Sequence, residues 1–366
     1  MKKLLRVNLK NGSLQSEPIN EDVSREYIGA RGIGAKYFHD ELGPKVDPLF
    51  DGNKLFIFTG PVTGNFFPSG DRYSIITKSP VTGHFSFANA GGLWGRELKN
   101  IGYDGVIVEE VSEKPVYLFI NSKTAMLKDA SAIWGKATIE TLEFFQKEHG
   151  KSTRILCISQ GGEDGAGFST IVNNENRAIG GRSGMGSVMG SKNIKAICIS
   201  DDGNGTMESL FQNYRFYERE RFYDFISNKN EYEIKSEQRY LEVLPETHET
   251  IVSICKKCPI YCNSVIKNKQ TNHATARLSN EDGLHDSSVE IKNKRIKRTF
   301  DGKQYDVTSI IDSMGLCMFA TIRLEVSDFA EIMSLCSEYK NYTPKELLVA
   351  GERVYILERE ILKRSV

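Results

Sequence analysis

Lys54-Leu55-Phe56-Ile57-Phe58-Thr59-Gly60-Pro61-Val62-Thr63-Gly64 opens as an unbroken apolar run and closes in glycine and proline. A short run of aromatic and branched residues stopped by Gly-Pro reads as a buried strand with a tight loop at its end. The pattern recurs over Arg72–Thr77, Gly105–Glu109, Val116–Ile120, Arg154–Ile158 and Lys195–Ile199. Strands at that density, interrupted by helices near Glu21–Glu41 and over Thr138–His149, predict an α+β fold with a β-rich N-terminal domain.

Asp201-Asp202-Gly203-Asn204-Gly205 lacks apolar residues and reads as a linker, which places one domain over residues 1–203 and a second over 204–366. Beyond it, Glu208–Ser227, Asp328–Tyr339 and Pro344–Leu362 carry helical spacing, so the second domain is expected to be a reduced α-helical one. The last helix has Thr343 to cap it, Pro344 in the first turn and Glu346 as capping-box partner. The polar stretch from Lys267 to Gly302 reads as a surface loop or mobile region, and no internal repeat is obvious.

The chain has 366 residues with 48 Lys+Arg against 48 Asp+Glu. Zero formal charge argues against a general electrostatic grip on nucleic acid or an anionic membrane. The basic run Lys292–Arg298 has no interleaved aromatics to stack on bases. No apolar stretch approaches the roughly 18 residues of a spanning helix, and no apolar run follows Met1-Lys2-Lys3-Leu4-Leu5-Arg6, so a cytoplasmic protein is expected.

Of seven cysteines, Cys157, Cys198 and Cys336 sit in apolar runs and read as inert packed thiols. Cys255, Cys258 and Cys262 form a C-x2-C-x3-C group with Cys317 far downstream, and four thiols suit an iron–sulfur cluster or a zinc ion. Three glycine-rich segments end predicted strands: Thr59–Gly64 with Pro68–Arg72, Lys78–Gly83 with Asn89–Gly92, and Asn173–Gly186. Each reads singly as a tight turn. Together, each with an arginine or amide nearby, they suggest loops holding a phosphate-bearing cofactor, since glycine admits close backbone approach and arginine offers a planar fork.

With these residues in view, the sequence resembles the tungsten-containing aldehyde ferredoxin oxidoreductases. The likeness is carried by Gly29–Tyr37, Thr59–Gly64, Arg72-Tyr73, Thr77–Gly83, Ala88–Gly92, Gly102–Gly105, Leu127–Gly135 and Met189–Ala196. It continues through Cys255-x2-Cys258-Pro259-x2-Cys262, Asp312-Ser313-Met314-Gly315-Leu316-Cys317, Gly351–Arg353 and Leu357–Arg359. The resemblance implies a β domain that supports a tungsten (or molybdenum) bis-pyranopterin, with a [4Fe–4S] cluster that passes electrons to ferredoxin. Carried over by motif, Arg72, Asn89, Gly91, Arg177, Ala178, Gly180, Arg182 and Asp312 would contact the pterin, and Cys255, Cys258, Cys262 and Cys317 would hold the cluster.

The activity so implied is oxidation of a small aldehyde to a carboxylic acid. Family members are longer, and the segment between Cys262 and Cys317 has no counterpart of the family's first Asp-x-x-Gly-Leu motif or of its active-site Glu and His. The alternative is therefore a shortened non-catalytic relative: an electron-transfer, cofactor-carrier or partner subunit that works with a complementary chain or as a homodimer.

Overall fold

Alternation within single strands builds the molecule. In β3 (Leu55–Thr59), Leu55 and Ile57 enter one core, Phe56 and Phe58 enter another, and none of the four is exposed. A strand of period two that is apolar on both faces must be covered on both faces. The computed structural model describes residues 2–65, 67, 70–174, 177–200, 248–253, 264–268, 274–277, 296–321, 324–337 and 341–364.

The first sheet joins β1 (Lys3–Asn8), β2 (Leu14–Pro18), β3, β4 (Tyr73–Lys78), β5 (Phe85–Ala90) and β6 (Gly105–Glu109) in the order β2-β1-β6-β3-β4-β5. The second joins β7 (Val116–Ile120), β8 (Ala125–Asp129), β9 (Arg154–Cys157), β10 (Ile171–Asn173), β11 (Ala178–Ile179) and β12 (Ile194–Ile199) in the order β8-β7-β12-β9-β10-β11. The second order is the first advanced by six strands. The pairing directions repeat as well: β1 runs parallel to β6 and β7 to β12, and all other neighbours are antiparallel. The chain thus contains a duplicated topology, which corrects the expectation of no repeat. Any sequence that keeps the inward–outward alternation can keep such a topology, so the likeness need not survive residue by residue.

Helices complete the layers: α1 (Glu21–Tyr27), α2 (Ala30–Glu41), α3 (Trp94–Asn100), α4 (Thr138–His149), α5 (Gln160–Glu163), α6 (Met185–Ser191), α7 (Thr308–Met314), α8 (Val326–Cys336) and α9 (Pro344–Arg364). Leu5, Val7, Leu55 and Ile57 of the first sheet share a core with Leu118, Ile120, Leu156 and Ile197 of the second. Trp94 and Leu98 of α3, and Met185 and Met189 of α6, fill that core as two i,i+4 pairs at equivalent places in the repeat. Lys192, fully buried, stitches the halves by donating to the carbonyls of Asn53 (2.5 Å) and Glu110 (3.1 Å). Phe145 of α4 closes the outer face of the second sheet over Cys157 and Cys198, whose thiols burial pushes up, to about 12 for Cys157.

The predicted helix over Glu21–Glu41 is two helices. Ile28 has φ 69°, and a Cβ on Gly29 would lie 2.7 Å from Pro61 and 2.8 Å from the carbonyl of Ser313, so the chain breaks where it must pass another backbone. The polar stretch 267–302 includes β15 (Ala274–Arg277), which pairs with β14 (Ser264–Asn268), itself paired with β13 (His248–Ser253). It also includes β16 (Lys297–Phe300), paired with β17 (Lys303–Asp306), so it is not simply a loop. Arg298 anchors the latter hairpin by donating to the carbonyls of Leu324 and Thr321. Main-chain pairing satisfies these segments without an apolar sequence to announce them. The linker at 201–205 and the helix expected over 208–227 lie outside the described residues.

Helix α9 serves two cores. Leu347, Leu348 and Ala350 pack with α7 and α8, whereas Val354, Leu357 and Ile361 pack with Phe38 of α2 and with Phe56 and Phe58 of β3. Its capping box is formed: the Glu346 amide donates to Thr343 Oγ1 (3.2 Å) and the Thr343 amide to Glu346 Oε2 (3.0 Å). The Thr343 amide donating to Oε2, Arg25 at 2.6 Å and the Thr343 hydroxyl hold the Glu346 carboxyl at about 2. Thr343→Ala is expected to cost about 1 kcal/mol in chemical denaturation at neutral pH. Because the Glu346 carboxyl is lowered in the folded chain, its share of that loss should be present above the ordinary carboxylate range and fade as the pH falls toward 2.

Candidate cofactor site

Helix α7 ends in the Asp312–Cys317 motif, and its end is docked on the first glycine-rich loop. Val62 donates its amide to the carbonyl of Met314 (3.0 Å), and Arg72 donates its amide to that of Gly315 (3.2 Å). Glycine is obligatory on both sides of this seam. A Cβ on Gly60 would lie 2.2 Å from the Met314 carbonyl carbon, and one on Gly315, at φ 80°, would lie 2.4 Å from Thr63 Oγ1. Thr63 Oγ1 accepts from the Gly60 amide (2.9 Å) and donates to the Arg72 carbonyl. Asp71 is held by both ends of the Arg96 guanidinium (3.0 and 2.7 Å).

The seam carries Cys317, which is buried, to 3.2 Å from Arg72 Nη2. It also carries Asp312 to the wall of a cavity of about 490 Å3 between β5, α7 and α9. Arg31 Nη1 donates to Asp312 Oδ2 at 2.9 Å, while its Nε and Nη2 take both oxygens of Glu358 at 2.7 and 2.6 Å. The guanidinium lies 3.8 Å from the centroid of Phe87. Burial works against the Arg31 charge, but Glu358 and Asp312 outweigh it and raise its pKa. Asn89 lines the same cavity from β5, and its Oδ1 accepts from Ser74 Oγ (2.5 Å) across the β4–β5 pair.

A second cluster joins the edges of the two sheets. Asn173, buried on β10, donates from Nδ2 to the carbonyl of Gly91 (2.9 Å) and accepts at Oδ1 from the amide of Arg177 (3.0 Å). The structure therefore brings Asn89 to Asp312, Arg72 to Cys317, and Gly91 to Arg177. Ala178 on β11 and Arg182 on the turn that follows are exposed and apart from the cavity lining, and Gly180 takes φ 66° between them. Lys78–Gly83 is the turn of the β4–β5 hairpin: Ser79 Oγ accepts from the amides of Val81 and Thr82 and donates to the Ser183 carbonyl. Cys255, Cys258 and Cys262, like His273, Glu281, Asp282 and His285, lie outside the described residues, and among the described residues no group of three potential metal ligands is gathered.

Sequence reasoning gave no role to Arg31, Glu358 or Asn173. A lone arginine within Gly29-Ala30-Arg31-Gly32-Ile33-Gly34 was the available signal, because a charge among small packing residues requires a buried partner.

Two family models match the chain: the aldehyde ferredoxin oxidoreductase N-terminal domain over residues 4–201, and aldehyde ferredoxin oxidoreductase domains 2 and 3 over residues 285–365. The chain belongs to the aldehyde ferredoxin oxidoreductase family. Among its relatives, the tungsten-containing aldehyde ferredoxin oxidoreductase of Pyrococcus horikoshii is 45% identical over 198 residues, 54% of this chain and 32% of the relative. The aliphatic sulfonate oxidoreductase, WOR-like subunit, of Pyrococcus furiosus is 36% identical over 217 residues, 55% of this chain and 34% of the relative. Among solved structures, the active site complex BamBC of benzoyl coenzyme A reductase with 1,5-dienoyl-CoA superposes with a TM-score of 0.54 at 28% identity, covering 67% of this chain and 36% of that one. The chain spans about a third of the length of the curated relatives it matches. Among the described residues no helix is long and apolar enough to cross a membrane.

The glycine seam yields a direct contrast. Gly60→Ala forces a Cβ into backbone and should cost at least about 3 kcal/mol in thermal or urea unfolding. Gly83→Ala, at φ 72° with open space around it, should cost about 1 kcal/mol from backbone strain alone.

Proposed function

We propose that this chain is a tungsten (or molybdenum) pterin-dependent oxidoreductase that converts an aldehyde to a carboxylic acid and passes the electrons through a [4Fe–4S] cluster to ferredoxin. The observation that carries the reading is the docking of Asp312–Cys317 on the Gly60 loop, which sets a carboxylate on the wall of a ligand-sized cavity and a thiol beside an arginine on the same short segment. The residues present fit a pterin. Asp312 and Asn89 offer acceptors to ring N–H groups, Phe85 and Phe87 offer aromatic surface, and Arg177 and Arg182 bring positive charge that suits a phosphate to the neighbouring loop.

When bound, such a group supplies the oxygen-transfer and two-electron chemistry that turns an aldehyde and water into an acid and two protons. The chain's residues bind and orient. Asp312 and Asn89 fix the ring edge, and Gly91 lets backbone approach. Cys317 provides one cluster ligand, with Arg72 beside it to favour the thiolate. Cys255, Cys258 and Cys262 are the other proposed ligands. In this reading a β-rich unit over 1–203 binds the pterin, a second unit over 204–366 carries the cysteines, and the protein works in the cytoplasm.

A second reading is an electron-transfer, cofactor-carrying or partner subunit beside a complementary chain or a second copy; the missing first Asp-x-x-Gly-Leu motif between Cys262 and Cys317 favours it, and one relative is named a WOR-like subunit. Anaerobic purification followed by mass-spectrometric metal analysis decides first. Iron with tungsten or molybdenum supports the oxidoreductase reading, iron alone supports the subunit reading, and zinc alone or no metal overturns both. Cys317→Ser should bleach most of the iron–sulfur absorbance. Cys336→Ser should leave it within about a tenth of the parent, because burial holds that thiol protonated, at about 12.

A further inference from the structure

The cavity wall holds more acid than base. Asp306, Asp312 and Glu358 face it with Arg31 as the one cationic side chain in its described lining. Each nitrogen of Arg31 is engaged, two with Glu358 and one with Asp312, and one flat face lies on Phe87. Three of the five N–H donors of the guanidinium are taken up by these two carboxylates, and the net negative charge of the wall would repel a ligand phosphate. Asp312 is different. Oδ2 is taken by Arg31, and Oδ1 forms no hydrogen bond among the described residues, on a side chain that lines the cavity.

We infer that Arg31, locked by Glu358, is a positioning residue that fixes the Asp312 carboxylate so that its second oxygen meets the N–H edge of the bound heterocycle. The inference rests on the pterin reading above. Arg31 comes from α2, Asp312 from α7 and Glu358 from α9, so three helices must agree before the acceptor points into the cavity. Lysine cannot replace arginine here, because a single ammonium cannot present a fork to Glu358 and a separate donor to Asp312. The acid-rich wall also assigns this end of the cavity to the N–H-bearing ring edge and leaves any phosphate to the Arg177–Arg182 loop.

The test is a double-mutant cycle on the anaerobically purified full chain. It reads the rate at which pterin fluorescence is lost to dialysis, with melting temperature measured in parallel. Arg31→Lys and Glu358→Gln should each speed pterin loss on the order of tenfold. Asp312→Asn should do so as well, and adding Arg31→Lys to it should bring no further loss, since the two act through one oxygen. Additive effects, or a lowered melting temperature with unchanged pterin loss, would overturn the positioning role and leave the pterin reading standing. Should Arg31→Lys fail to fold, Glu358→Gln in the same cycle gives the same decision. A parent chain that carries no pterin overturns the function proposed above and this inference with it.

Discussion

Arg31 meets Glu358 and Asp312 in a nearly closed interior, across 327 and 281 residues of sequence. Taking three charged side chains out of water is costly, and a bidentate pair of good geometry does little more than recover that cost. What the cluster gains is specificity, because removing one partner strands the others and costs about 3–5 kcal/mol. Helix α9 can lie on the first sheet only in the register that brings Glu358 to Arg31. That register also sets Val354, Leu357 and Ile361 against Phe56 and Phe58. The same arginine fixes Asp312 on the cavity wall, so one ionic node aligns the fold and the candidate site.

Around the node, the absence of side chains does as much as their presence. Gly29, Gly32, Gly60 and Gly315 bring α2, the β3–β4 loop and α7 within backbone contact, and the Gly32 amide donates to Ser313 Oγ at 3.0 Å. Two main-chain hydrogen bonds then fix the motif that ends in Cys317. The duplicated sheets supply the platform. Their edge strands β5 and β11 stand side by side, so Asn173 can tie Gly91 of one repeat to Arg177 of the other.

Much of this was legible in the sequence for local reasons. The apolar run Leu55–Phe58 announces a strand covered on both faces, Thr343 and Glu346 announce a helix start, and Asp312 and Cys317 lie in a motif specific enough to carry a family. What stayed hidden was long-range or short-lived in sequence. β11 has two residues, and α3 and α6 have seven each, too few for periodicity to register. The topological repeat rests on alternation that every strand shares. β15 and β16 are four-residue strands without the run of large apolar residues that would announce them. Arg31 was visible within a quoted motif, but its partners lie at the far end of the chain, and nothing local names them.

We propose that the Asp312–Cys317 segment, docked on the Gly60 loop, forms the cofactor site. The most direct test is a crystal structure of the anaerobically purified chain with data collected across the tungsten and iron absorption edges. Pterin density against Asn89 and Asp312, with an iron anomalous peak at Cys317, is the expected result. Anomalous peaks remote from both residues, with solvent alone between β5 and α7, would contradict it.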